Sequence, residues 1–257
     1  MATKVALVTA SSAGLGAAIA KTLAAEMRVV INYSSNADRA TAVRQELESI
    51  AKTSKEHPHE TQDKPSFATI RADLSSKADI ERLVKETVET MGRLDVVVSN
   101  GGWTRMRTFD DLDQNVDEDD WDRCFNVNVK SHMFLLHAAR RFLDESKGSF
   151  VTIASVAGVK ASGSSIPYSV SKAAQIHMVK GLARAVSPHI TVNSVSPGTL
   201  MTDWGRSFPE EKLEADRNAT LLKRFATVED VAEAVKMVVK NKSLTGQNIV
   251  VDSGFSI

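Results

Sequence analysis

Val5-Ala-Leu-Val-Thr9-Ala-Ser-Ser-Ala-Gly14-Leu-Gly16-Ala-Ala-Ile-Ala20-Lys-Thr-Leu23 decides how the rest of the chain is read. A short apolar run of strand type (4–9) passes through a small-residue turn into an alanine-rich stretch with helical spacing (14–26). A glycine-bearing turn entering a helix lets backbone N–H groups and the positive helix end approach a pyrophosphate closely. Two glycines also occur in ordinary turns, so the strand before and the helix after give this one its meaning. Ser11, Ser12, Gly14, Leu15 and Gly16 are the residues expected on the phosphate side, and Ala10 stands where a dinucleotide turn carries its first glycine.

Working outward, short β-type runs alternate with longer helical patterns to the end of the chain, the signature of βαβ units around a parallel sheet. Strands are predicted at 4–9, 28–32, 67–71, 94–99, 149–154, 190–195 and 247–251, several as near-continuous Val/Ile/Leu runs, as for strands covered on both faces. Helices are predicted at 14–26, 37–52, 76–91, 119–144, 168–187 and 227–240. The fold class is therefore α/β, with a doubly wound, mainly parallel seven-stranded sheet in one domain over 1–257 and the first strand beside the switch point. Residues 52–66 are polar, carry two prolines and read as a surface insertion, in which His57 and His59 are loop residues and not metal ligands. The acidic stretch from Asp110 to Asp120 reads as solvated, and no metal site is expected.

Lysines and arginines equal aspartates and glutamates at 32 each, so no net field favours nucleic acid or anionic lipid. The one cysteine, Cys124, excludes an internal disulfide and suits a reducing, cytoplasmic setting. No apolar run is long enough to span a membrane, and the apolar start reads as a strand and not as a leader.

The end of the second strand bears on which nucleotide fits. A free ribose 2′-hydroxyl wants a carboxylate there, but the place holds Tyr33, followed by Ser34, Ser35 and Asn36, neutral donors that would not repel a 2′-phosphate. The expectation is NADP(H) over NAD(H), with Arg39 assisting. Asp73, followed by Leu74, could accept from an adenine amino group or cap the next helix, in competition with Ser75. Asn100, Gly101 and Gly102 are small enough at the fourth strand's end to let a flat ring approach.

Tyr168 and Lys172 lie four residues apart, with Ser155 thirteen residues upstream of Tyr168. On a helix the two share a face, so the lysine ammonium would lie beside the phenol. A phenol titrates near ~10 and a nearby positive charge favours its ionised form, while a serine hydroxyl can hold the oxygen that exchanges the proton. Alone, a Tyr-x-x-x-Lys spacing describes the wet side of many helices.

With these motifs in order, the chain resembles the classical short-chain dehydrogenase/reductases over nearly its full length. Thr9 to Gly16 is similar to that family's Thr-Gly-x-x-x-Gly-x-Gly turn, Ser99-Asn-Gly-Gly102 to its Asn-Asn-Ala-Gly segment, and Asn128 to its helix asparagine. Ser155, Tyr168 and Lys172 match the active-site serine, tyrosine and lysine. Ser196-Pro197-Gly198, with Leu200 and Thr202, matches the segment that meets the nicotinamide and pyrophosphate, and Leu244 to Gly254 resembles the closing strand.

The resemblance implies a Rossmann-type oxidoreductase that interconverts a carbonyl (ketone or quinone-like) and a secondary alcohol. Tyr168 would move the proton and Ser155 steady the oxygen. Lys172 would lower the tyrosine pKa and grip the ribose, and Asn128 would hold a water through its helix. It also implies a homo-oligomer, tetramer or dimer, in which the apolar end at Phe255 to Ile257 would fit against a neighbour. The substrate is expected to be a small molecule, held by the segments 101–118 and 199–220 through Trp103, Met106, Phe109, Met201, Trp204 and Phe208, with 199–220 as a lid. The alternatives are a non-catalytic NADP(H)-binding regulator, an NAD(H)-preferring dehydrogenase of the same fold, and a nucleotide-sugar epimerase or dehydratase. Against the last, no added substrate domain is present.

Overall fold

Alternate residues of the first strand, β1 (Val5–Val8), go to opposite faces: Val5 and Leu7 to one apolar core, Ala6 and Val8 to the other, all fully buried. The same division runs through β2 (Arg28–Tyr33), β4 (Val96–Ser99) and β5 (Ser149–Ile153), which is why their apolar residues run together without strict alternation. The computed structural model describes residues 3–54 and 64–257. The insertion's His57 and His59 lie outside them.

With β3 (Phe67–Arg71), β6 (Thr191–Pro197) and β7 (Asn248–Val251), the strands form one seven-stranded sheet, ordered β3-β2-β1-β4-β5-β6-β7. Every neighbouring pair is parallel. The chain steps outward from β1 to β3 and then restarts at β4 on the other side of β1. The helices that follow β1 and β4 therefore diverge and leave a crevice at the strands' carboxyl ends.

One face is covered by α1 (Gly14–Ala24), α2 (Ala37–Thr53) and α8 (Val228–Lys240). The other carries α3 (Lys77–Met91), α5 (Ser131–Ser146) and α6 (Ile166–Val186). Glu26, just after α1, is clamped by Lys236 at 2.7 Å and Lys240 at 2.6 Å, which joins α1 to α8. Among the described residues, no helix is long and apolar enough to cross a membrane.

Four differences from the sequence reading have physical causes. The helix expected at 119–144 is broken: α4 (Glu118–Phe125) gives way to a wide π turn at Asn126–Lys130 before α5, and the turn swells the backbone where Asn128 points inward. The helix expected at 168–187 begins two residues earlier, capped by Ser165 with Pro167 in its first turn, so Tyr168 stands at the helix start. Within 199–220 lies α7 (Glu210–Ala219), which the pattern hides because its only buried residue is Leu213. At α3 the cap is Ser76, not Asp73 or Ser75; Asp73 instead accepts from Ser75 at 2.8 Å.

Candidate active site

Four carboxyl ends at the centre of the sheet open on one cavity of about 360 Å³. β1 contributes Ala10, Ala13, Gly14, Leu15 and Gly16, β4 contributes Asn100 and Gly102, β5 leads to Ser155, and β6 leads into Pro197 to Leu200 and then Thr202 to Trp204. Tyr168 and Lys172 enter from α6.

Close packing fixes the phosphate turn. A Cβ on Gly16 would lie 2.4 Å from the Ala10 carbonyl oxygen and 2.6 Å from the Asn100 amide, so only glycine fits. Asn100 pins the turn by donating to the carbonyls of Thr9 (3.2 Å) and Ala10 (3.1 Å). Ala10 adopts φ 48°, a left-handed conformation that costs an L-residue roughly 1–2 kcal/mol and glycine almost nothing. Ser11 faces the interior, donating to the Val8 carbonyl at 2.6 Å, and neither it nor Ser12 lines the cavity. On this side of the turn, Ala10 and Ala13 line the cavity.

Ser155 follows β5 and caps a short 3-10 turn at Val156–Gly158, its Oγ accepting from Ala157 N at 3.1 Å. That turn lies directly on α6: a Cβ on Gly158 would come within 2.5 Å of the Lys172 carbonyl carbon. Ser169 adds a 2.6 Å bond to the Ala157 carbonyl. The serine is therefore held against the helix that carries the tyrosine and lysine.

Tyr168 is half-buried. Desolvation by burial pushes its phenol up to about 12, against hydrogen bonding with Ser155, which lowers it. Lys172 is 3 % exposed, and burial pulls its ammonium down to about 7. The lysine was expected to draw the tyrosine pKa down, but burial dominates here. Its ammonium, 5.7 Å from the phenol ring centre, donates to the Ile153 carbonyl at 2.9 Å and to Gln175 Oε1 at 3.0 Å. The Asn128 side chain gives both amide protons away, to the Trp103 carbonyl and to Ser171 Oγ, each at 2.9 Å, and accepts from Trp103 N at 2.7 Å.

The outer wall departs from expectation. Trp204 and Phe208 line the cavity, Trp204 packing edge-on to Tyr168 with ring centres 5.8 Å apart. Trp103, Met106, Phe109 and Met201 do not line it. Asn128 grips both main-chain polar groups of Trp103, and its indole turns to the guanidinium of Arg123 at 4.6 Å, while Met106 and Met201 are about two-fifths exposed. In their place stand Lys212 and Asp216 of α7 and Phe255. Phe255 thus packs at its own chain's cleft, under Lys160. An apolar residue near the end of the sequence was a usable signal; the polar face of α7 gave none.

Tyr33, Ser34, Ser35, Asn36 and Asp73, the residues expected at the adenosine end, lie outside this cavity, at or just after the carboxyl ends of β2 and β3. Leu74 packs against Gly101. Asn36 commits its side-chain oxygen to capping α2, and Arg39 reaches across to Asp203 at 3.1 Å.

The family model described as enoyl-(acyl carrier protein) reductase matches residues 9–256. The chain belongs to the short-chain dehydrogenase/reductase family. Ketoacyl reductase 2 of the granaticin polyketide synthase of Streptomyces violaceoruber is 38% identical over 254 residues, covering 97% of this chain and 95% of that one. The 3-oxoacyl-acyl-carrier-protein reductase of Staphylococcus aureus is 32% identical over 257 residues and 98% of both chains. A short-chain dehydrogenase of Burkholderia cenocepacia, solved in complex with NADP, superposes with a TM-score of 0.85 at 33% identity, covering 99% of this chain and 98% of that one.

Two places where this short-chain dehydrogenase/reductase departs from the family's motifs are now explained. Ser99, at an asparagine position, pairs its hydroxyl with His132 Nδ1 at 2.6 Å, so another polar contact anchors β4. Gly101, at an alanine position, makes room for Leu74, whose Cδ1 would sit 2.3 Å from a Cβ there.

Proposed function

We propose that this chain is an NADP(H)-dependent carbonyl reductase that acts reversibly on secondary alcohols, with Tyr168 as the proton donor and acceptor. The observation that carries the reading is the convergence of Ser155, Tyr168 and Lys172 on one cavity whose opposite rim is the glycine turn, Pro197 to Leu200 and Thr202. The cavity fits the cofactor. Gly16 brings the turn's backbone close, Lys172 reaches the cavity with a donor to spare for ribose hydroxyls, and Tyr33 places no carboxylate before a 2′-phosphate. Arg39 is the cation for that phosphate, and Asp203 is its partner otherwise.

When bound, the nicotinamide supplies or takes the hydride at the carbonyl carbon. Tyr168, held protonated by its high pKa, gives its proton to the developing alkoxide. Ser155 has its acceptor side satisfied by Ala157 and turns its own proton to the same oxygen, steadying the charge. A charged Lys172 steadies the phenolate left behind. Both amide protons of Asn128 are taken, so a proton relay through this residue runs by the main chain of the π turn and not by its side chain.

Trp204, Phe208 and Phe255 suit an apolar ketone, quinone or 3-oxoacyl thioester, and the ketoacyl and 3-oxoacyl reductases among the relatives favour the last. Stopped-flow loss of NADPH absorbance with a panel of these carbonyls tests the reading. Saturable NADPH binding without turnover on any of them would leave the protein a nucleotide-binding regulator.

A further inference from the structure

On α6, residues 172 and 175 are one turn apart and share a face that is buried throughout: Ser171, Lys172, Gln175 and Val179. A glutamine with no exposed surface is costly unless its amide is satisfied, and an apolar side chain would fill such a site more simply. Gln175 is satisfied in a closed ring of three groups. Its Nε2 donates to the Ile153 carbonyl at 3.1 Å, its Oε1 accepts from Lys172 Nζ at 3.0 Å, and Lys172 Nζ donates to the same carbonyl at 2.9 Å. Two of the three ammonium protons are thereby fixed on these two oxygens, leaving the third for the cavity. The carbonyl belongs to the last residue of β5, two before Ser155, so the ring joins the supports of both active-site elements.

We propose that Gln175 is a positioning residue for the reaction: it holds the Lys172 ammonium at the floor of the cleft, aims its remaining proton outward, and favours its charged form. This rests on the role given to Lys172 above. The titratable groups facing the ammonium are Tyr168 on its own helix, Cys124 from α4 and His132 from α5. The Cys124 thiol is pushed up to about 11 by burial, and His132 is held well below its ordinary value by burial, so both are uncharged near neutrality. With no facing carboxylate among them, the amide oxygen of Gln175 and the Ile153 carbonyl are what offset the desolvation of Lys172.

The test uses Gln175→Met, which keeps the volume without an acceptor, and Gln175→Glu, which keeps the acceptor and adds charge. The Lys172 side-chain resonance of lysine-labelled, cofactor-free protein is titrated by NMR and assigned by its loss in Lys172→Arg. The pH profile of kcat for NADPH-driven reduction is measured beside it. A charged lysine is needed, so activity falls as pH rises through the Lys172 titration. Gln175→Met should move both the titration and that limb down by about one unit, and Gln175→Glu should move both up by about one unit or more. Unchanged titrations, or shifts of the same sign in both variants, would reduce Gln175 to a packing residue and overturn the inference. If Gln175→Met does not fold, the sign of the Gln175→Glu shift decides. Absence of turnover in the wild-type protein would count against the proposed function alone, because the NMR titration reads Gln175 without it.

Discussion

On the floor of the cleft, Lys172, Gln175, Asn128 and Ser171 are at most 3 % exposed and tied to one another or to strand ends by hydrogen bonds. On the outer wall, Trp204 is about two-fifths exposed, and α7, which carries Lys212 and Asp216, anchors itself through Leu213 alone. Reacting groups need fixed positions to within fractions of an ångström, and a buried hydrogen-bonded network supplies that. A wall held by one apolar anchor and surface ion pairs can open with little loss of energy and can accept different shapes. Floor substitutions should therefore act on kcat whatever the substrate, and wall substitutions on KM in a substrate-dependent way.

Tyr168→Phe is the strongest way to break this contrast: reduction should fall by about a thousandfold or more, with NADPH affinity nearly unchanged in a fluorescence titration. Ser155→Ala removes a donor to the oxygen and should lower kcat by about a hundredfold for small and large carbonyls alike. At the cofactor's far end, Arg39→Ala should weaken NADPH by roughly tenfold and NADH little, read as the ratio of their KM values. On the wall, Trp204→Ala should raise KM for bulky carbonyls by roughly fivefold and leave kcat for a small ketone within about twofold; a uniform collapse of kcat would move Trp204 to the floor. The smallest effect is expected at the turn, where Ala10→Gly relieves the left-handed alanine and should raise stability by up to about 1 kcal/mol, seen as a Tm about 2 °C higher.

Legibility divided along the same line. The strands of a sheet buried on both faces are written as apolar runs, and that Ser155, Tyr168 and Lys172 share one cavity was legible because the motifs around them fall in the family's order. The inward face of Ser11 was not legible, since a serine is equally at home on a phosphate or on the Val8 carbonyl. Trp103 and Met106 looked like pocket residues because aromatic and apolar side chains are called for there. What turns Trp103 away is a long-range grip by Asn128, 25 residues on, which no local pattern encodes. α7 escaped because a helix that buries one residue has no apolar periodicity to detect. Gln175 was likewise invisible, because its meaning depends on the Ile153 carbonyl 22 residues away.

The most direct test of the central claim is a single turnover with NADPH deuterated at C4 and a 3-oxoacyl thioester or apolar ketone, in the wild-type protein and in Tyr168→Phe. The expected result is deuterium on the carbinol carbon of the wild-type product, and bound cofactor with essentially no product in the variant. Deuterium transfer by Tyr168→Phe at a rate near that of the wild type would contradict it.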